Sequence, residues 1–247
     1  MMIGYWARSI GLILLLAFCL ACQKVDSMPI ATIATLPITP TQISNYTTPD
    51  FSLAHPTLAP KIVESKLEDE AQLIDIRSVN PNIVIDIRYA TENNFMQRKL
   101  YRVARCVLRV SVARKLSLVQ ADLEKQGLGL KVYDCYRPLS VQRQMWRFLP
   151  DARYVANPTR GSRHNRGAAV DVTLVDRSGN ELEMPTGYDN FTVRSHRNYR
   201  GTRLRARRNR QLLEAAMKNR GFISIRTEWW HFDAANWRKF SILDLPL

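Results

Sequence analysis

The chain has 247 residues, 46% hydrophobic and 23% charged, enough apolar material for an ordinary globular core. Its 36 Lys and Arg against 22 Asp and Glu leave a formal net charge of +14, which favours anionic surroundings and says nothing of fold. Only four His are present, so a site built on imidazole has few positions to draw on.

Met1 to Ala21 has the anatomy of an export signal, with Arg8 in the positive n-region and Ile10 to Phe18 as an apolar stretch short for a membrane span. Leu20-Ala21-Cys22 resembles the end of a bacterial lipobox with Cys22 as the lipidated residue, although Cys19 stands where Leu is usual. Cleavage after Ala21 without lipidation and a retained anchor are the alternatives. The expectation is an exported, periplasmic lipoprotein held at the membrane through Cys22. Residues 22–64 carry Pro29, Pro37, Pro40, Pro49, Pro56 and Pro60 among Thr, Ser, Ala and Asn. Such a composition cannot bury enough surface to offset its ordering entropy and reads as an extended tether. His55 lies in it and is read as solvated. Residues 65–247 are the expected catalytic domain.

Leu73 to Arg77 and Ile83 to Arg88 alternate apolar with polar, the period of half-buried strands, with Asn80-Pro81-Asn82 as turn chemistry between them. Val103 to Gln126 reads as a helix, its apolar residues Val107, Leu108, Val112, Leu116, Val119 and Leu123 lying mostly at three- and four-residue steps. Gly127 and Gly129 end it. Leu130 to Asp134 is a strand that delivers Cys135-Tyr136-Arg137-Pro138, and Ser140 to Phe148 a second helix. Ala169 to Leu174 reads as a central strand, Asn209 to Arg220 as a third helix, and Phe222 to Ile225 and Trp229 to Phe232 as closing strands.

The chemistry concentrates in Ser162 to Asp171, answered much later by Glu228-Trp229-Trp230-His231. His164, Asp171 and His231 make a three-ligand set that leaves a position open on zinc, as a catalytic site needs. Glu228 is placed to act as general base toward a water on the metal. In a regular strand Glu228 and His231 would face opposite sides, so the backbone must turn or bulge between them if both serve one metal.

These motifs resemble the D-alanyl-D-alanine dipeptidases of the vancomycin-resistance type, zinc peptidases whose fold recurs in D-Ala-D-Ala carboxypeptidases and the hedgehog signalling domain. The resemblance runs from about Leu73 to Phe232. It rests on Ile87 to Phe95, Gly127 to Lys131, Asp134 to Pro138, the Ser-x-His-x-x-Gly-x-Ala-x-Asp pattern at Ser162 to Asp171, Met184 to Asp189, and Glu228 to His231. It implies an α+β domain with a central antiparallel sheet flanked by helices. It implies one zinc per chain on His164, Asp171 and His231, with Glu228 passing a proton from water to the leaving amine. Arg137 would stabilise the oxyanion, a role suited to a fixed cation. Asp189 and Tyr89 would contact the free ammonium of a D,D-dipeptide, and Ser162 would lie in the substrate pocket. Asp189 argues for a dipeptidase over a D,D- or L,D-carboxypeptidase. An intact Glu228 and Arg137 argue against a non-catalytic, metal-stabilised module that binds cell wall. Cys135 and Pro185 stand where Gly occurs in relatives, and Arg163 adds charge beside the metal motif.

Other features have plainer readings. Arg137 could pair with Asp134 at a turn, and the Trp229-Trp230 pair reads as core and site wall. His196 reads as a surface or outer residue rather than a ligand. The run Arg197, Arg200, Arg203, Arg205, Arg207, Arg208 and Arg210 is either a solvated face or a patch for anionic cell wall or lipid. No nucleic-acid motif is present, and nucleic acid is not an expected partner. Cys106 and Cys135 could form a disulfide in an oxidising compartment or remain buried thiols.

Overall fold

The structure, a computed structural model, describes residues 70–247. The expected export signal, the tether and Cys22 lie outside the described residues. Among the described residues no helix is long and apolar enough to cross a membrane.

Two sheets form the frame. β1 (Leu73–Asp75) pairs antiparallel with β3 (Val107–Arg109) in a two-stranded sheet. β2 (Val84–Ile85), β4 (Leu128–Asp134), β5 (Ala169–Asp176), β6 (Phe222–Ser224) and β7 (His231–Ala234) form a five-stranded sheet in the order β2-β4-β5-β7-β6. The expected α+β class holds, but the central sheet is mixed rather than antiparallel, because β2 runs parallel to β4. The chain between β2 and β4 supplies β3 and a whole helix, a crossover long enough to return the strand in the same direction.

Helix α1 (Val110–Glu124) is shorter at its start than the sequence periodicity suggests, because Val107–Arg109 is taken up by β3. A short apolar strand abutting a helix looks like another helical turn, and only the partner strand separates the two. Val112, Leu116, Val119 and Leu123 form the buried stripe of α1. Gly127 follows with φ 71° and donates its N–H to the Glu124 carbonyl, a left-handed exit that favours glycine. Helix α2 (Leu139–Phe148) falls where the sequence places it. Helix α3 (Leu204–Asn219) begins five residues earlier than expected, since Arg-rich sequence is good helix former and the stripe Ala206, Arg210, Leu213, Met217 already faces inward.

The register of the sheet positions the site. Asp134 on β4 lies opposite Asp171 on β5, and Asp171 lies opposite His231 on β7. Three adjacent strands therefore bring three polar residues into one row, at the end of a core that includes Val132, Val170, Val172 and Phe232. His164 joins from a single 3-10 turn, His164–Arg166, that precedes β5. Gly167 closes that turn with φ 65°, and a Cβ there would lie 2.7 Å from Leu73 Cδ2 and 3.3 Å from the Arg109 nitrogen. Gly167→Ala should therefore cost about 1–3 kcal/mol, from left-handed strain and this contact together. Thermal unfolding of the metal-free chain checks the prediction, and a Tm equal to wild type would contradict it.

Candidate metal centre

Each predicted ligand is buried, and the three come together. His164 Nε2 lies 3.1 Å from His231 Nδ1, His231 Nδ1 3.0 Å from Asp171 Oδ1, and His164 Nε2 3.4 Å from Asp171 Oδ1. Bonds of 2.0–2.1 Å to a tetrahedral zinc imply ligand-to-ligand edges of about 3.3 Å, so the donor set fits such an ion. The outer nitrogens of both rings are engaged: His164 Nδ1 lies 2.6 Å from the Cys135 carbonyl and His231 Nε2 2.8 Å from Asp233 Oδ1. Acceptors on the outer nitrogens fix each ring with its inner lone pair turned toward the cluster, the usual support of a metal-binding imidazole. Burial works to raise the Asp171 pKa, but the two imidazoles outweigh it and hold the carboxylate well below its usual range. Tyr188 adds its hydroxyl, donating to Asp171 Oδ2 at 2.8 Å.

Glu228 stands outside any strand, in the bend that precedes β7. The backbone thus turns between Glu228 and His231, as two groups serving one site require. The carboxyl is buried and lines the same cleft as the three candidate ligands. Burial pushes it up to about 8.

Arg137 makes the turn pairing with Asp134 and also faces the cleft. Its Nε and Nη2 donate to Asp134 Oδ2 at 3.1 and 2.6 Å, its Nη1 donates to Gln142 Oε1 at 2.9 Å, and it also lines the cleft. Burial alone would lower the guanidinium pKa, but Asp134 together with Tyr89, Tyr101 and Tyr188 outweighs it, so the group is a fixed cation in a fixed place.

The remaining predicted residues share this cleft. Asp189 adopts φ 57°, a left-handed conformation that Asp tolerates better than most residues. Its carboxylate accepts from the Tyr89 hydroxyl at 3.0 Å and from the Phe95 N–H at 3.2 Å. Burial pushes it up to about 7 against those two donors. Ser162 is buried at the cleft wall, where its Oγ accepts from the His164 N–H at 3.2 Å. Phe95, Tyr154 and Phe191 form an aromatic side, with Tyr154 stacked on Phe191 at 5.0 Å. The cleft is about 140 Å³, well below the ~300–1,000 Å³ of pockets for drug-sized ligands, which restricts it to a small molecule or one end of a chain.

Several contributors escape a reading of motifs. Asp233 was legible in principle, because it sits two residues after His231 on the same face of a strand. Tyr188 and the Cys135 carbonyl carry no such signal. Arg197 belongs to the site's frame and not to a basic face: its guanidinium donates to the carbonyls of Ile225 and His231, both at 2.8 Å, and lies over the Phe232 ring. Arg210 is likewise buried and donates to the His196 and Tyr199 carbonyls. Arg200, Arg203, Arg205 and Arg208 remain exposed. His196 is outside the ligand cluster. Trp229 and Trp230 are both buried, and Trp230 lines the cleft. Cys106 and Cys135 form a disulfide, with Cα atoms 5.2 Å apart.

Comparison with known proteins agrees with this geometry. Residues 69–239 match the family model of D-Ala-D-Ala dipeptidases, peptidase family M15. The chain is 37% identical over 181 residues to a D-alanyl-D-alanine dipeptidase of Escherichia coli, covering 72% of this chain and 92% of that protein. It is 32% identical over 168 residues to the D-alanyl-D-alanine dipeptidase of Enterococcus faecalis, covering 60% and 83%. A relative of the same name from Streptomyces coelicolor is 32% identical over 171 residues, covering 60% and 83%.

The raised Glu228 carboxyl has a cost in stability. Between about 4.5, its ordinary value, and about 8, the folded chain holds a proton that the unfolded chain has released, so stability falls as pH rises through that window. Glu228→Gln removes that loss. Stripped of metal, the variant should match wild type below pH 4.5 and exceed it by on the order of 5 kcal/mol at pH 8.5. Urea unfolding at the two pH values tests this; equal stability at pH 8.5 would count against a carboxyl so strongly raised.

Proposed function

This chain belongs to the D-alanyl-D-alanine dipeptidase family of metallopeptidases, and on that footing we propose that it hydrolyses D-alanyl-D-alanine to free D-alanine, with zinc as the metal. The observation that carries the reading is that half-buried Asp189 shares one small cleft with Glu228 and the His164–Asp171–His231 cluster. A free dipeptide brings an ammonium, and Asp189 is a carboxyl raised by desolvation that such a cation would ionise. A longer peptide has no ammonium to offer there.

Zinc held by His164, Asp171 and His231 would supply Lewis-acid polarisation of the scissile carbonyl and a water of lowered pKa. Glu228 takes a proton from the attacking water and returns it to the leaving amine, and its burial keeps it basic enough for the first step. Arg137, already locked by Asp134 and Gln142, meets the charge that develops on the carbonyl oxygen without having to reorganise. Tyr89, hydrogen-bonded to Asp189, helps seat the ammonium, and Ser162 lines the substrate's path beside His164.

We place the protein outside the cytoplasm, with residues 1–21 as its export signal, Cys22 as its lipid anchor and residues 22–64 as a tether. The Cys106–Cys135 disulfide supports that reading, since such bonds persist chiefly in oxidising compartments. There the activity suits turnover of cell-wall peptides, and exposed Arg200, Arg203, Arg205 and Arg208 suit contact with anionic wall polymer.

Full-length, zinc-loaded chain should release D-alanine from D-Ala-D-Ala and leave a D-Ala-D-Ala-terminated pentapeptide intact. Glu228→Ala should reduce kcat by about 10²–10⁴-fold, and Asp189→Asn should lower kcat/KM by at least about tenfold. Release from the pentapeptide would move the protein to the carboxypeptidases. Zinc binding without turnover of either substrate would favour a binding module.

A further inference from the structure

We infer that the Cys106–Cys135 disulfide is a positioning device for the metal site: it holds the carbonyl that orients His164. The inference rests on the metal reading of His164, Asp171 and His231.

The segment after β4 is crowded with duties. Asp134 anchors Arg137 and also accepts from the Tyr101 hydroxyl at 2.8 Å and from the Cys135 N–H at 2.9 Å. The Cys135 carbonyl accepts from His164 Nδ1 at 2.6 Å. The Arg137 N–H then donates to the His164 carbonyl at 3.1 Å, and Asn165 Nδ2 to the Arg137 carbonyl at 2.9 Å. Yet regular pairing is ending here: the β4–β5 register shifts between Val132 and Asp134, and Cys135 lies beyond the last paired residue. What fixes Cys135 from the other side is the two-stranded sheet. Tyr136 N–H donates to the Val107 carbonyl at 3.0 Å, and the disulfide joins Cys135 to Cys106, the residue before β3, whose carbonyl in turn accepts from Ile76 N–H at 2.9 Å. The bond thus ties the metal-supporting carbonyl to a second sheet.

Both cysteines are fully enclosed, Cys106 at 0% and Cys135 at 1% exposure. Bonded sulfurs sit about 2 Å apart, and two thiols cannot approach so closely. In a packed interior side-chain rotation alone has little space, so part of the extra room comes from the backbone, and Cys135 lies just past the end of β4–β5 pairing. A displaced carbonyl no longer fixes the proton on His164 Nδ1, and Nε2 loses its enforced lone pair toward the metal. Loss of such an outer partner typically lowers metal affinity 10–100-fold. Closing the bond takes two protons and two electrons from the thiols, accepted by a disulfide-bearing exchange partner that is itself reduced to a dithiol. The chain therefore gains full metal affinity only where such oxidants prevail. Before export, the dithiol form is a poor metal binder.

The test is zinc affinity of the full chain by competition with a chromophoric chelator. Oxidised wild type is compared with Cys106→Ala/Cys135→Ala and with wild type reduced by a phosphine. Thermal unfolding and the His164 Nδ1–H proton resonance are read in parallel on the metal-free forms. The expected result is a folded chain of lower Tm whose zinc affinity falls 10–100-fold and whose Nδ1–H signal loses its protection from exchange. A disulfide acting only as a staple lowers Tm but leaves affinity within twofold and the resonance unchanged, and that result overturns the inference. If the double variant does not fold, reduced wild type decides on the same two readouts. Oxidised wild type that binds no zinc would overturn the metal reading itself, and this inference with it.

Discussion

Three lone-pair-bearing atoms, on His164, Asp171 and His231, are held within 3.4 Å of one another in a buried place. Without a cation such convergence is unfavourable, so the surrounding structure has to impose it. For Asp171 and His231 the imposition comes from sheet register, since they are direct neighbours on β5 and β7; His164 is brought in by its 3-10 turn and the Cys135 carbonyl. Because a slip of one residue would turn each side chain to the opposite face, the apolar residues between them in the core protect the site as firmly as they protect the fold.

Around that row, the same few groups serve position and chemistry together. Asp134 fixes Arg137 as a cation and caps the strand end whose next carbonyl orients His164. Asp233 orients His231 from the far side of the ring, and Arg197 grips the carbonyl of His231 itself. Glu228 and Asp189, which form no ion pair among the described residues, are pushed up by burial to about 8 and about 7. A site of this kind stores part of its free energy as desolvated acid groups.

Much of this was legible in the motifs. The Ser162–Asp171 pattern and Glu228–His231 each carry residue types that make little sense apart, and the small Gly167 inside the first has a left-handed φ that the turn needs. The boundaries were less legible. Val107–Arg109 reads as helix because its apolar residues continue the stripe of α1, and nothing local reveals that β1 is its partner. The direction of β2 was hidden for the same reason, since a two-residue strand carries no mark of parallel or antiparallel pairing. Arg197 and Arg210 look like surface charge in a run of arginines, and their burial depends on carbonyls distant in sequence.

The sequence by itself determined which residue types could serve as ligands and base, their spacing, and the need for a bend between Glu228 and His231, because those follow from residue chemistry and strand periodicity. Tertiary structure alone decided which backbone groups support them: the Cys135 carbonyl that accepts from His164 Nδ1, and the His231 carbonyl that Arg197 grips. The physical reason is that every residue carries the same carbonyl and N–H. Their roles are written in position and not in identity, and position exists only once the chain is folded.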